Sequence, residues 1–317
     1  MARFSISEIP LLQDLRMSWH RLLSAQRVLV SVTDVGLVCC WKVTSRDAWV
    51  WRRGTWPPDS CLDGFPLQQD EMGELLADLL LDCDVVGAQI ELVLPSSACQ
   101  WRVVEGLSEN GIKSAALAPH QLASLDWPLD ADAVDVAVVP GGDAALVVGV
   151  QRPLLQAWIN VIEVADLPLR RVEWSMAAAL RALLTKTEGS TDLAWLIQAS
   201  QADQRRLVLV HRGIPEVDRL MPASESIDDA ISETIAAWRA MNNSVGSLAW
   251  CLSLPEASVQ DAPPLLDPNA WIDQSKADQV LTFRDLWTPS PWAPELDDEA
   301  LNPLEHLALA AVRALET

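Results

Sequence analysis

Among 317 residues there is no tyrosine, and there are only three phenylalanines, four histidines and six cysteines, while 23 cationic side chains face 44 acidic ones. Each shortage closes a class of function. Without Tyr there is no phenol to serve as nucleophile or proton donor. At a net charge of −21 the chain would have to overcome its own repulsion before tracking a phosphate backbone, so nucleic acid is not an expected partner. His20, His120, His211 and His306 are far apart and show no H-E-x-x-H spacing. Cys39, Cys40, Cys61, Cys83, Cys99 and Cys251 show no C-x-x-C spacing, which reads as small apolar residues kept reduced rather than a zinc site or a disulfide framework. No Walker A or G-x-G-x-x-G stretch occurs. Ser96-Ser97 lacks the glycines of a nucleophile elbow, and Asp130, Asp132 and Asp135 lack the Gly and terminal Glu of a calcium loop.

Long apolar runs are missing too. Val28 to Val43 is broken by Asp34 and Lys42, and Val134 to Val150 by Pro140, Gly141, Gly142 and Asp143, so neither reaches the roughly 20 residues of a membrane span. Glu8, Pro10 and Asp14 stand where a secretory leader needs an unbroken apolar core. The expectation is a cytoplasmic protein with no anchor of its own.

What the chain has is tryptophan, fifteen of them, within a composition that is 50% hydrophobic and 21% charged. They fall mostly within apolar-periodic runs, which predicts core packing rather than a base-stacking array. Trp49, Trp51 and Trp56 are the exception worth testing as a docking patch, because alternation puts Trp49 and Trp51 on one strand face.

Periodicity predicts an ordered series of elements. Residues 1–26 contain a leading amphipathic helix. Three β-rich runs follow, Arg27 to Thr33, Gly36 to Thr44 and Ala48 to Arg53; then a helix from Gln69 to Asp82 and a strand from Gln89 to Leu94. The second half repeats this: strands at Leu193 to Ala199, Arg206 to His211 and Ile214 to Met221, a helix from Ser226 to Met241 with Ser226 as cap, and a strand at Ser247 to Leu252. Between the repeats, strands at Cys99 to Glu105, Val134 to Pro140 and Ala144 to Val150 and a helix from Leu154 to Ala165 form an inserted α/β subdomain, about 98–166. Leu169 to Trp174 returns as a fifth strand, followed by a helix at Met176 to Leu184. The proline-rich stretch 255–303 reads as irregular chain, and a helix from Glu305 to Leu315 closes the sequence.

A β-β-β-α-β unit occurring twice is the plan of a duplicated ribonuclease-H-like, actin-like α/β fold with a small insertion. Its units span 27–186 and 187–317. Three segments then resemble the PilM family of type IV pilus assembly proteins: Leu92-Val93-Leu94-Pro95-Ser96-Ser97-Ala98, the two apolar strands and helix of Val134 to Ala165, and Leu169-Arg170-Arg171-Val172-Glu173-Trp174 with the Ala/Leu helix after it. That resemblance implies a cytoplasmic actin-like adaptor. It also implies a partner, the cytoplasmic tail of a PilN-like inner-membrane protein, docked in a groove between the first unit and the insert. Leu94, Trp101, Val103, Leu154 and Trp158 are the residues expected to line that groove. Other pilus assembly components and a second copy of the chain are further candidate partners. The cytoplasmic part of the type II secretion L protein is a relative with the same expected fold.

The resemblance also implies two phosphate hairpins for ATP with Mg²⁺, each with an acid and a glycine followed by small hydroxyl residues. In the first, Asp34 and Gly36 are in place, but Leu37, Val38 and Cys39 replace the hydroxyls. In the second, Gln198 stands where the family has an acid, followed by Ser200. A neutral amide is a poor ligand for a hard divalent cation. No catalytic residue, metal or cofactor is therefore expected, and ATP binding should be weak or absent. The competing expectation is an active ATPase or small-molecule kinase of the same superfamily, with Asp34 as organiser and Asp192 or Asp203 as the second acid.

Overall fold

The structure, a computed structural model, describes residues 26–43, 48–105, 125, 127–130, 132–141, 144–186, 192–198, 205–222, 226–242, 245–253 and 279–282. The predicted helices at 8–25 and 305–315 lie outside the described residues. The first unit runs β1 (Arg27–Val32), β2 (Gly36–Val43), β3 (Ala48–Thr55), a short hairpin of β4 (Cys61–Leu62) and β5 (Phe65–Pro66), α1 (Gln69–Leu81) and β6 (Gln89–Leu94). The insert supplies β7 (Cys99–Glu105), β8 (Val134–Gly141) and β9 (Ala144–Gln151). The first unit then closes with α2 (Arg152–Val164), β10 (Leu169–Trp174) and α3 (Ser175–Lys186). In the second unit come β11 (Asp192–Gln198), β12 (Arg205–His211), β13 (Ile214–Met221), α4 (Ile227–Met241), β14 (Leu248–Ser253) and β15 (Gln279–Thr282).

The two large sheets have the spatial orders β3-β2-β1-β6-β10 and β13-β12-β11-β14-β15. Counted along the chain among the strands of its own sheet, each reads third, second, first, fourth, fifth, with the first three strands antiparallel and the last two added in parallel. The duplication is therefore one of topology as well as of element order. Two expectations change. The proline-rich stretch 255–303 contains β15, which extends the second sheet by pairing in parallel with β14. And the helix assigned to the insert, α2, packs side by side with α1 on the first sheet. The reason is topological: β6 and β10 are parallel neighbours, so the chain between them must cross over, and α2 is that crossover. Among the described residues the insert is built on the three-stranded sheet β7-β9-β8.

Strand alternation explains how the layers stack. In β11, Leu193, Trp195 and Ile197 join the core shared with the first unit, whereas Ala194 and Leu196 join a second core under α4 with Ile231, Ile235 and Trp238. The helix α3 contributes Met176, Ala179, Leu180 and Leu183 to the shared core. The insert sheet divides in the same way: Cys99, Trp101, Leu146, Val148 and Val150 face the shared core, while Val134, Val136, Val138 and Val147 enclose Trp127 in a core of their own. Gly149 makes room there, since a Cβ would sit 2.5 Å from the Trp127 ring.

The start of α4 departs in detail from expectation, because Ser226 stands at the cap position without a side-chain capping bond. Acidic residues do occupy the first turns of α1 and α4, Asp70 and Glu71 in one and Asp228 and Asp229 in the other, where the helix dipole favours them. The tightest contact between helices is α1 against α2. The Asn160 amide donates to Gln69 Oε1 at 3.0 Å, and one turn along, a Cβ on Gly73 would meet Val164 Cβ at 2.6 Å and the Val161 carbonyl at 2.7 Å. Gly73→Ala should therefore lower stability by about 1–3 kcal/mol through overpacking, although alanine favours an isolated helix by about 1 kcal/mol. Urea unfolding measures the difference, and a stabilised variant would show that the helices separate freely.

Candidate functional site

The first hairpin lies between β1 and β2, and its polar groups are committed to the protein itself. Thr33 Oγ1 donates to the Gly36 carbonyl and accepts from the Gly36 amide, both at 3.2 Å. Asp34 Oδ1 accepts the Gly64 amide at 2.7 Å and lies 3.5 Å from the Cys61 thiol. Gly36 is required by backbone proximity, because a Cβ would stand 2.3 Å from the Gly54 carbonyl oxygen on β3. Leu37, Val38 and Cys39, which occupy the hydroxyl positions of a phosphate hairpin, are 1%, 2% and 0% exposed and belong to the core. A phosphate could reach neither hydroxyls nor a free Thr33 side chain here.

The partner of Asp34 is the feature that periodicity did not reveal. Asp63 and Gly64 form the turn of the β4–β5 hairpin with φ of 49° and 80°, the left-handed pair that an Asp-Gly dipeptide supplies in two-residue turns. Asp-Gly itself was the available signal, but strands of two residues carry no alternation to frame it. The tip is wedged in from three sides: its amide on Asp34, its carbonyl accepting the Trp158 indole N–H at 2.8 Å, and its Cα so close to the loop after β6 that a Cβ would meet Ser97 Oγ at 2.7 Å.

In the second hairpin, Gln198 closes β11 opposite Arg205, and Ser200 and Asp203 lie outside the described residues. Asp192 is at the far end of the same strand, six residues or about 20 Å away at about 3.3 Å per residue. Its carboxylate meets His211 Nδ1 at 2.7 Å and accepts the Gly246 amide at 3.0 Å. This position rules it out as the acid of a phosphate hairpin. Among the described residues no group of three or more His, Cys, Asp or Glu is placed to hold a metal ion. The donor set around Asp34 does not fit Mg-ATP: one carboxylate oxygen is already engaged, and apolar side chains fill the neighbouring positions.

Most of the residues expected to line the partner groove are interior. Leu94, Trp101, Leu154 and Trp158 are 2%, 3%, 8% and 0% exposed, and only Val103 is partly exposed. Alternation on β7 turns Trp101 and Val103 toward the shared core, so these side chains fill the space between insert and first unit. Of the expected tryptophan patch, Trp56 is interior. Its N–H donates to the Thr33 carbonyl at 2.9 Å, Trp51 is half-buried, and the Trp49 side chain lies outside the described residues.

Burial also sets the thiol chemistry. Cys61 is pushed up from an ordinary value of 9.0 to about 12, first by burial and then by the negative charge of Asp34; burial alone pushes Cys99 up to about 12. Cys39 is raised further in the same direction, by burial and then by Cys83. Above pH 9 the unfolded chain would release these protons while the folded one keeps them, so stability should fall as pH rises from 9 toward 12. Alkylation at pH 8 followed by peptide mass mapping should find Cys39, Cys61 and Cys99 slow in the native protein and fast in urea. Asp34→Asn removes the negative neighbour and should speed the reaction of Cys61 alone; an unchanged rate would mean that Asp34 does not control that thiol.

Comparison with known proteins agrees with the geometry. No family model and no curated protein sequence matches the chain. Solved structures do. The chain is similar to a structure described as the PilM–PilN type IV pilus biogenesis complex, at a TM-score of 0.62 and 13% identity over 92% of this chain and 99% of that one. It is also similar to the cytoplasmic domain of EpsL, an inner-membrane component of the type II secretion system of Vibrio cholerae, at a TM-score of 0.50 and 12% identity over 91% and 95% of the two chains. At such identities the likeness concerns the fold, and the fold is that of the actin-like proteins.

Proposed function

We propose that this protein is a cytoplasmic adaptor of a type IV pilus assembly machine, PilM-like in architecture, that docks the tail of a PilN-like inner-membrane protein and works without ATP turnover. The observation that carries the second half is the first hairpin. Leu37, Val38 and Cys39 are core residues, and Asp34 is spent on the Gly64 amide. The first half draws its support from the full-length match to a fold seen in a pilus complex, together with an acidic surface that anionic lipid would repel. Among the described residues no helix is long and apolar enough to cross a membrane, so recruitment by a partner's tail is the route these residues favour. With Trp101 and Trp158 interior, the tail would lie further out, at the rim marked by Val103 and along β8, which has no second partner strand among the described residues and to which an extended peptide can add as a strand.

Calorimetric titration with Mg-ATP should show no binding, and a Kd near 1 μM, about 8 kcal/mol of affinity, would overturn the nucleotide-independent reading in favour of an ATPase or kinase. Asp34→Ala should leave partner capture intact while costing about 1–3 kcal/mol in unfolding experiments, since it orphans a partly buried amide. A synthetic peptide with the sequence of a PilN-like cytoplasmic tail should bind with or without Mg-ATP. Proline at Ala137, in the edge strand, should weaken it tenfold or more if the peptide pairs there; undiminished binding would remove β8 as the acceptor.

A further inference from the structure

Three parts of the molecule meet at one polar point. Trp101 comes from the insert strand β7, Trp174 from the end of β10, and Arg206 and Asp218 from β12 and β13 of the second unit. The Asp218 carboxylate takes three donors. Arg206 forks onto it, Nε to Oδ1 at 2.7 Å and Nη2 to Oδ2 at 2.5 Å, and the Trp101 indole N–H, 117 residues away in sequence, also donates to Oδ2. The Arg206 guanidinium stands 5.9 Å from both the Trp101 and Trp174 ring centroids, and the two rings meet edge to face at 4.9 Å and 79°. Trp174 is tied in turn to the first unit, donating to the Ser96 carbonyl at 3.2 Å. Both indoles are 3% exposed, whereas the Arg206 and Asp218 side chains keep about a fifth of their surface, at 21% and 23%.

We infer that this cluster is a built-in latch that holds the insert and the first unit against the second unit. The physical reasons are local. A bidentate arginine–carboxylate pair is rigid, and charge-assisted bonds are roughly twice as strong as neutral ones. Half-screened by two tryptophan faces, the arginine also gains cation–π attraction that water would otherwise weaken. The strand β13 packs on both β7 and β9 at this point, so the latch bears on the whole insert sheet. Every member is a side chain of the chain itself. The inference stands on this geometry and does not require the pilus reading.

Hydrogen exchange of the full chain, followed by mass spectrometry, tests it with two variants. Trp101→Phe keeps an aromatic ring and loses the N–H; Asp218→Ala removes the shared acceptor. In both, amides of β7 and β13 should exchange tenfold or more faster than in the parent protein, with amides of β1, β6 and β14 unchanged. Unchanged exchange in β7 and β13 would overturn the latch. A rise of equal size in β1, β6 and β14 would overturn it as well, because the cluster would then be ordinary core. No nucleotide is present in this measurement, so an ATP-binding result by calorimetry would sink the proposed function and leave the latch to be judged by exchange alone.

Discussion

The central strand of each large sheet is apolar on both faces, and that is the constraint from which the architecture follows. Val28, Leu29, Val30 and Val32 in β1, and Leu193, Ala194, Trp195, Leu196 and Ile197 in β11, are all buried. A strand of this kind must be covered twice. The first sheet obtains one cover from α1 and α2 and the second obtains one from α4. The remaining faces are joined through α3, whose small residues Ala178 and Ala179 are fully buried. One core therefore runs through both units, and the connection that ends the first unit is also the layer on which the second rests.

Tryptophan turns that apolar packing into specific geometry. An indole buries a large area yet has one N–H that must be satisfied once water is gone. Five of them reach across the molecule to do so: Trp56 to Thr33, Trp158 to Gly64, Trp174 to Ser96, Trp101 to Asp218 and Trp238 to Glu216. Each bond links elements far apart in sequence, which a Phe or Leu of similar bulk could not do. The hairpin between β1 and β2 and the β4–β5 tip beside it are held by two of these bonds, those of Trp56 and Trp158.

Much of this was legible in the sequence, and the reasons for success and failure are physical. Helices α1 and α4 and strands β6, β7 and β13 carry strong periods and match their predicted bounds within a residue or two. The strand β15 was hidden, because four residues among prolines show no pattern until β14 offers them an edge. The placement of α2 with α1 was hidden for another reason: composition cannot tell which of two apolar surfaces a helix will choose, whereas the parallel pairing of β6 and β10 decides it. At the site, the positions of Asp34 and Gly36 in a hairpin were readable. What Asp34 touches was not, because its partner is 30 residues away on a two-residue strand. Most of the expected groove residues are buried, which the sequence did not reveal, since an apolar alternation looks the same whether a peptide or the protein's own core covers it.

The continuous core has a consequence for how this chain can be divided. The repeat suggests a cut near residue 187, between one unit and the next. A fragment beginning there would leave Leu193, Trp195, Ile197, Val208, Val210 and Cys251 facing water on one side of its sheet. A face of that kind aggregates or recruits another apolar surface. The halves share an ancestry of topology but not a boundary of stability, and a stand-alone second unit would have to carry α3 with it.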